Sequence, residues 1–313
     1  MSRYLRTPDD RFQNLPDYPF TPHYLQQADG LRLHYLDEGP PDAAETILCL
    51  HGEPSWSFLY RHMIPLLGQH HRVLAPDFIG FGRSDKLPSP QDYSFQFHLD
   101  TLVWFLDRLD LTGVTIVVQD WGGLLGLTAV SQHPHRFRRL VIMNTFLPTG
   151  HEDLGEAFYK WQRFSQRVPD LPIGRIIKGS LAPGNTLPPE VIAGYEAPFP
   201  DASYKAGAAI WPSLVPTTPE DDGAAQMAAA RHFLQSWDRP ALVMFSDSDP
   251  ITGGAAPFFR QLIPTASKQP GIVIKNAGHF LQEEQGPTIA QHILEFISRT
   301  PIPPPANSAT DAK

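Results

Sequence analysis

Three residues of the types that form a hydrolytic triad, Asp120, Asp249 and His279, each come shortly after an apolar run of strand length. Asp120 is followed by Trp121 and two glycines, which indicates a sharp turn between a strand and a helix. Ligands of open parallel sheets bind beyond the carboxyl ends of the strands, so these side chains are expected to converge. Their chain order, nucleophile, acid and histidine, occurs in hydrolytic triads. Asp247 is a competing candidate for the acid.

An aspartate at the turn predicts attack on a saturated carbon atom. A carboxylate, with a reference pKa of about 3.9, is ionised at neutral pH and needs no base to activate it. Attack on an acyl carbon would give an anhydride, whereas attack on an sp³ carbon gives an alkyl ester and releases a halide or opens an epoxide. Water would then cleave the ester on Asp120, with His279 as general base and Asp249 as its partner. The backbone N–H groups of Glu53 and Trp121 are the expected oxyanion donors.

The leaving group separates the two reactions. A halide ion needs N–H donors in an apolar cavity, and the indole of Trp121 follows the nucleophile directly. Trp161 is the expected second donor, with packing as an ordinary aromatic core residue as its alternative, and Trp211 competes for the same role. An epoxide leaves as an alkoxide and needs an acid such as a phenol. That alternative stays open because the same region contains Tyr159, Tyr195 and Tyr204.

The elements that must position these residues alternate along the chain. Strand-like runs are predicted at 31–36, 46–50, 72–75, 114–118, 139–144, 240–245 and 271–274, and helices at 56–67, 95–109 and 287–298. This alternation predicts an α/β fold with a mostly parallel central sheet flanked by helices. It breaks between 146 and 225, which predicts an inserted, mostly helical cap on a main domain formed by 1–145 and 226–300. Residues 1–23 are expected to form an extended arm and 301–313 a disordered tail.

Composition restricts the classes of partner. The chain has 313 residues, 42% hydrophobic and 19% charged, and its net charge of −8 argues against nucleic acid. Cys49 is the only cysteine, so no internal disulfide can form. Without a signal-like leader or a membrane-length apolar run, a cytoplasmic protein is expected. The histidine pairs lack zinc-site spacing, and neither a dinucleotide fingerprint nor a Walker loop occurs, so no metal or cofactor is expected.

Several motifs resemble those of haloalkane dehalogenases, which have the α/β-hydrolase fold. They are His51-Gly52-Glu53-Pro54 with Trp56, Val117-Val118-Gln119-Asp120-Trp121-Gly122-Gly123, Ala197-Pro198-Phe199-Pro200-Asp201 and Ala277-Gly278-His279-Phe280. The resemblance covers residues 18–296. It implies a hydrolytic dehalogenase that converts 1-haloalkanes and water to a primary alcohol, halide and a proton. No cofactor, metal, nucleic acid or membrane is implied, and the enzyme is expected to be a monomer.

The resemblance also implies residue roles. Asp120 matches the nucleophile, His279 the base and Asp249 the acid; another branch takes its acid from the position of Asn144, which cannot carry the charge. Trp121 and Trp161 match the halide-binding tryptophans. The substrate pocket is expected to include Phe158, Trp211, Pro212 and Ile251. An epoxide hydrolase with the same nucleophile, and a non-catalytic binding protein of this fold, remain as alternatives.

Overall fold

The computed structural model describes residues 3–301, and within them an eight-stranded sheet has the order β1-β2-β4-β3-β5-β6-β7-β8. The predicted tail from residue 302 onward lies outside the described residues. The strands are β1 (His23–Gln26), β2 (Arg32–Glu38), β3 (Thr46–Leu50), β4 (Arg72–Pro76), β5 (Val114–Gln119), β6 (Phe137–Met143), β7 (Ala241–Ser246) and β8 (Ile272–Ile274). The β1–β2 and β2–β4 pairs are antiparallel, and all other pairs are parallel.

Helices cover both faces of this sheet. They are α1 (Ile64–Leu67), α2 (Phe95–Arg108), α3 (Trp121–Gln132), α4 (Gly155–Arg167), α5 (Ile173–Gly179), α6 (Pro189–Glu196), α7 (Ala206–Ile210), α8 (Ala224–Leu234), α9 (Ala256–Leu262) and α10 (Leu281–Arg299). Every residue of β5 is buried, as expected for a β-branched strand at the centre of a parallel sheet. The mostly parallel α/β architecture predicted from the alternation is confirmed.

The structure adds detail to the sequence predictions at three places. The 56–67 segment is a 3₁₀ turn (Ser57–Tyr60) followed by α1, because Pro65 lacks an N–H and favours the first turn of a new helix. The last helix, α10, has non-helical backbone at Gln285; the helix predicted from 287 to 298 corresponds to the part beyond this kink, and a short helical part from Leu281 precedes it. β1 follows directly on the region expected to be a mere extended arm, and it pairs with β2.

Between β6 and β7 the chain forms α4 to α8 and, among the described residues, no strand. Helix α8 packs against α3, which lies on the sheet. The division into a main domain and a 146–225 cap therefore stays a prediction. Helix α8 begins at Ala224, next to the predicted end of the cap. No helix in residues 3–301 is long and apolar enough to span a bilayer.

Candidate active site

Asp120 occupies the turn between β5 and α3, with φ 50° and ψ −124°. Few non-glycine residues adopt a positive φ, and such backbone strain persists only where the surroundings hold it. The backbone N–H of Asp120 donates to the carbonyl of Asn144 at 2.9 Å, and its own carbonyl accepts the Thr145 hydroxyl at 2.7 Å. A Cβ atom at Gly122 would overlap the backbone of Leu50, so only glycine permits this close turn.

The structure brings Asp120, Asp249 and His279 together. The His279 Nδ1 atom lies 3.0 Å from Oδ2 of Asp249, and its Nε2 atom lies 3.5 Å from Oδ2 of Asp120. Asp249 also accepts the Ile251 N–H at 2.8 Å and the Thr252 hydroxyl, and its side chain is fully buried. The imidazole therefore lies between two carboxylates, one behind it and one facing it.

The competing acid, Asp247, points elsewhere. Its carboxylate accepts the N–H of Ala277 at 3.4 Å and lies 3.8 Å from the ammonium group of Lys275. Its side chain is partly exposed, whereas that of Asp249 is fully buried. Asp249 is thus the carboxylate that contacts His279.

The charges of the triad depend on one another. Burial alone would lower the pKa of His279, but the attraction of Asp249 and Asp120 outweighs burial and raises the pKa to about 10. Burial likewise opposes ionisation of Asp249, and the neighbouring His279 charge, with hydrogen bonds from Thr252 and Ile251, still lowers the pKa of Asp249. With a pKa of about 10, the imidazole carries a proton at neutral pH.

Glu53 contributes differently through its backbone and its side chain. Its N–H donates to Oδ1 of Asp120 at 2.8 Å, which fixes one oxygen of that carboxylate. For the Trp121 N–H, the other expected oxyanion donor, the structure records no hydrogen bond to Asp120. The Glu53 carboxyl is buried, and burial together with the Asp120 charge raises its pKa well above the usual value, an effect that the nearby His279 and Trp161 oppose. Within the described residues its Oε1 atom has no hydrogen-bond partner.

Two neighbouring cavities both have Asp120 in their lining. A smaller one, about 130 Å³, is lined by Glu53, Trp121, Trp161 and His279, and by the predicted pocket residues Phe158, Pro212 and Ile251. A larger one, about 360 Å³, has a mostly apolar wall that includes Leu124, Phe146, Pro148, Leu154, Phe158, Val215, Ile251 and Phe258. The first contains indole rings beside the carboxylate, and the second provides apolar surface of the kind that binds an alkyl chain.

Comparison with known proteins agrees with this site. The family model described as alpha/beta hydrolase fold matches residues 45–285. The chain is 50% identical over 304 residues to a haloalkane dehalogenase of Psychrobacter cryohalolentis, covering 96% of this chain and 99% of that protein. It is 48% identical over 297 residues to a haloalkane dehalogenase of Mycolicibacterium paratuberculosis, covering 93% and 97% respectively.

A solved structure gives the same result. The tetrameric haloalkane dehalogenase from Paraglaciecola agarilytica matches with a TM-score of 0.88 at 37% identity, over 94% of this chain and 98% of that one. The chain belongs to the haloalkane dehalogenase family. The α/β-hydrolase fold and the hydrolysis of carbon–halogen bonds, both implied by the sequence motifs, are confirmed.

One predicted pocket residue of the dehalogenase lies elsewhere. Trp211 is fully buried and lies against Trp121, with ring centroids 4.5 Å apart, and it is absent from the lining of both cavities. Its indole N–H donates to Nε2 of His98 at 2.7 Å. Its expected place in the substrate pocket is therefore wrong, and its N–H is not available to a halide, because the core residue His98 takes it.

The tyrosines that kept the epoxide reaction open are not in the dehalogenase cavities. Neither cavity that contains Asp120 has a tyrosine in its lining. The hydroxyl of Tyr195 donates to Glu283, which also pairs with Arg61. No three side chains of His, Cys, Asp or Glu in residues 3–301 come together as metal ligands would.

The dehalogenase site has two supporting amides that the sequence analysis did not identify as such. Nδ2 of Asn144 donates to the carbonyls of Gly278 and His279, each at 3.1 Å, and to Ser246 Oγ at 2.7 Å. Nε2 of Gln119 donates to the His279 carbonyl at 3.2 Å. Gln119 is the last residue of β5 and Asn144 follows the neighbouring strand β6, so their position at the carboxyl ends of parallel strands was the available signal. Asn144 therefore fixes the loop that contains Gly278 and His279, and it does not act as the charged partner of the histidine.

Proposed function

We propose that this dehalogenase acts on terminal haloalkanes through a covalent ester between the alkyl group and Asp120. One observation carries the proposal: the Asp120 carboxylate, held at Oδ1 by the Glu53 N–H at 2.8 Å, borders a cavity that contains Trp121 and Trp161. A fixed carboxylate, apolar space for carbon and N–H donors for the leaving ion are the requirements of displacement at an sp³ carbon.

In the first step the free oxygen of Asp120 attacks the carbon atom that bears the halogen. The new C–O bond forms as the C–X bond breaks, and the halogen leaves with the bonding electrons as a halide ion. The indole N–H groups of Trp121 and Trp161 stabilise this ion, and because both are donors only, they favour an anion over a neutral acceptor group. The 360 Å³ cavity holds the alkyl chain during the attack.

In the second step water attacks the carbonyl carbon of the Asp120 ester. His279 takes the water proton at Nε2 while Nδ1 stays hydrogen-bonded to Asp249, 3.0 Å away. The Glu53 N–H, together with the Trp121 N–H, stabilises the oxyanion that forms on the aspartyl oxygen. When the intermediate collapses, the bond between the carbonyl carbon and the alkyl oxygen breaks; the alkoxide takes the proton of the newly added hydroxyl and leaves as the alcohol, which restores the Asp120 carboxylate and leaves His279 protonated. The sum is haloalkane plus water giving alcohol, halide and a proton.

Formation of the ester prepares His279 for this second role. In the resting enzyme the charges of Asp249 and Asp120 both raise the pKa of His279, to about 10. The ester is neutral, so one of the two charges that stabilise the imidazolium disappears when it forms. The pKa of His279 then falls, and the ring loses its proton and becomes a base.

We also propose that the enzyme is monomeric and cytoplasmic. The large hydrophobic side chains exposed in residues 3–301 are Phe164 on α4 and Val273 on β8, a small number for the apolar core of a subunit interface. Cys49 is buried and unpaired, so the fold needs no oxidising compartment. Sedimentation analysis tests the first point: a tetramer, the state of the Paraglaciecola agarilytica enzyme, would contradict it.

The experiment that tests the reaction offers the purified protein 1,2-dibromoethane and, separately, styrene oxide. We expect bromide release with acidification from the first, and no such release from Asp120→Asn. Diol formation from styrene oxide without bromide release from dibromoethane would support an epoxide hydrolase and refute the proposal. Undiminished bromide release by Asp120→Asn, with the amide intact by mass spectrometry, would refute the role of the carboxylate.

A further inference from the structure

The loop that carries His279 rests directly on the connection between α5 and α6. The His279 N–H donates to the carbonyl of Ser180 at 2.9 Å. A Cβ atom at Gly278 would overlap the same carbonyl, so the two backbones are in van der Waals contact there. The catalytic histidine is thus positioned partly by a segment that lies between β6 and β7, far from it in the sequence.

Glu284, in the first turn of α10, lies between these two segments and is half-buried. Its Oε2 atom accepts the backbone N–H of Gly278 at 2.6 Å. Its Oε1 atom accepts the backbone N–H of Ala182 at 3.0 Å and the side-chain amide of Asn185 at 2.6 Å. One carboxylate therefore receives donors from both sides of the contact.

Such a contact is strong and difficult to replace. Hydrogen bonds to a charged acceptor are about twice as strong as neutral ones, and a carboxylate at the start of a helix is further stabilised by the helix dipole. The carbonyl groups of Gly278 and His279 are held by Asn144 from the other side. Without Glu284, the backbone N–H of Gly278 would lose its charged acceptor, whereas the carbonyl groups of Gly278 and His279 would still be held by Asn144.

We propose that Glu284 is a positioning residue for the second chemical step, an inference that rests on the proposed ester mechanism. Before the reaction, the charges of both Asp120 and Asp249 hold the imidazolium of His279 in place. Once Asp120 is an ester, its attraction is gone and only Asp249 remains. The backbone support from Glu284 then determines how accurately Nε2 faces the ester and the attacking water.

The structure therefore assigns Glu284 an effect on ester hydrolysis and little effect on ester formation. A misplacement of about 1 Å can cost about 100-fold in rate, so Glu284→Ala should slow ester hydrolysis by about 10- to 100-fold. The alkylation step, in which Asp120 attacks without a base, should keep a rate close to that of the wild type. The alkyl-enzyme should accumulate as a result.

The experiment measures both steps with 1,2-dibromoethane by rapid quench: bromide release in the first turnover, and decay of the ester by intact-protein mass spectrometry. Glu284→Gln keeps the side-chain volume and one acceptor oxygen, so it should retain part of the hydrolysis rate. Asn185→Ala removes a single donor and should have a smaller effect. Glu295→Ala, on the half-exposed face of the same helix, is the matched control and should match the wild type in both steps.

The ratio of the two rate constants distinguishes positioning from general destabilisation. A loss of folded enzyme lowers the amplitude of the burst and leaves both rate constants unchanged. Equal slowing of both steps in Glu284→Ala, or an unchanged hydrolysis rate, would overturn the proposal. If the alanine variant does not fold, the same ratio of rate constants measured for Glu284→Gln tests the proposal. Failure of the wild type to form any ester would instead refute the ester mechanism itself.

Discussion

The indole rings of Trp121 and Trp211 lie against each other, with centroids 4.5 Å apart and planes tilted by 35°, yet only Trp121 borders the cavities. Trp211 donates its N–H to Nε2 of His98, at 2.7 Å. Burial, with a smaller contribution from His51, lowers the pKa of His98 to about 3, so this imidazole stays neutral and can accept the hydrogen bond. The two adjacent indoles therefore have different roles: Trp121 lines the cavity, and Trp211 is a hydrogen-bonded residue of the hydrophobic core.

This difference predicts opposite effects of two equivalent substitutions. Trp211→Phe leaves Nε2 of His98 buried without a donor, which should cost about 1–3 kcal/mol of stability and lower Tm, with little change in bromide affinity. Trp121→Phe removes the N–H of a ring that lines the cavity, and it should weaken bromide binding about tenfold or more with a smaller change in Tm. Quenching of the remaining tryptophan fluorescence by bromide, and thermal unfolding, measure the two effects. A larger loss of bromide affinity in Trp211→Phe than in Trp121→Phe would contradict this assignment.

Local sequence patterns are sufficient to predict the turn at Asp120 and the positions of Asp249 and His279. Each follows a parallel strand, and the carboxyl ends of parallel strands share one edge of the sheet. The same reasoning selects Asn144 as a residue at that edge, but not what it binds, because its partners come from β7 and the histidine loop.

The remaining features depend on contacts that no local pattern contains. In the sequence, Glu284 looks like any acidic residue in the first turn of a helix. Its role becomes visible only in the folded structure, where the connection between α5 and α6 lies against the loop that contains Gly278. Trp211 was expected to line the pocket, and only the position of His98 on α2 explains why it does not. β1 has four residues, none of them fully buried, so its edge position leaves little hydrophobic signal in the sequence.

His279→Gln should separate the two chemical steps. The variant retains the Asp120 carboxylate and the halide donors, so the first displacement proceeds, but no base activates water for the second. Intact-protein mass spectrometry after exposure to a bromoalkane should show one alkyl adduct, and peptide mapping should locate it at Asp120. The double variant Asp120→Asn/His279→Gln is the control and should remain unmodified. An unmodified His279→Gln protein with a native thermal transition would show that the roles are assigned wrongly.

The two steps should also differ in their dependence on pH. Hydrolysis requires neutral His279, so its rate constant should rise with pH and level off above the pKa of the imidazole in the ester. That pKa must be below the resting value of about 10, because ester formation removes the Asp120 charge that helps to raise it. Alkylation requires no neutral imidazole and should vary less between pH 6 and 9. Single-turnover measurements across this range test the prediction, which fails if the hydrolysis rate falls as pH rises.

The buried carboxyl of Glu53 should make the stability of the enzyme depend on pH. Burial first, and the Asp120 charge second, raise the pKa of Glu53 well above its usual value of 4.5, so the folded protein keeps a proton that the unfolded chain releases. Where the folded state binds the extra proton, stability falls as pH rises, by at most about 1.4 kcal/mol per pH unit for one group. This loss begins above the unfolded pKa and ends at the folded one.

Glu53→Gln removes this proton and retains the shape of the side chain and the backbone N–H that holds Asp120. Its Tm should be close to that of the wild type near pH 3.5, where Glu53 is largely protonated in both the folded and the unfolded state, and should exceed it by a growing margin as pH rises to 8. Differential scanning calorimetry of the two proteins at several pH values measures this margin, and the half-exposed Glu295→Gln is the control that should show none. A margin that stays constant with pH would mean that Glu53 is ionised in the folded enzyme, and its carboxylate would then have to be stabilised beside Asp120 by the indole of Trp161 and the charge of His279.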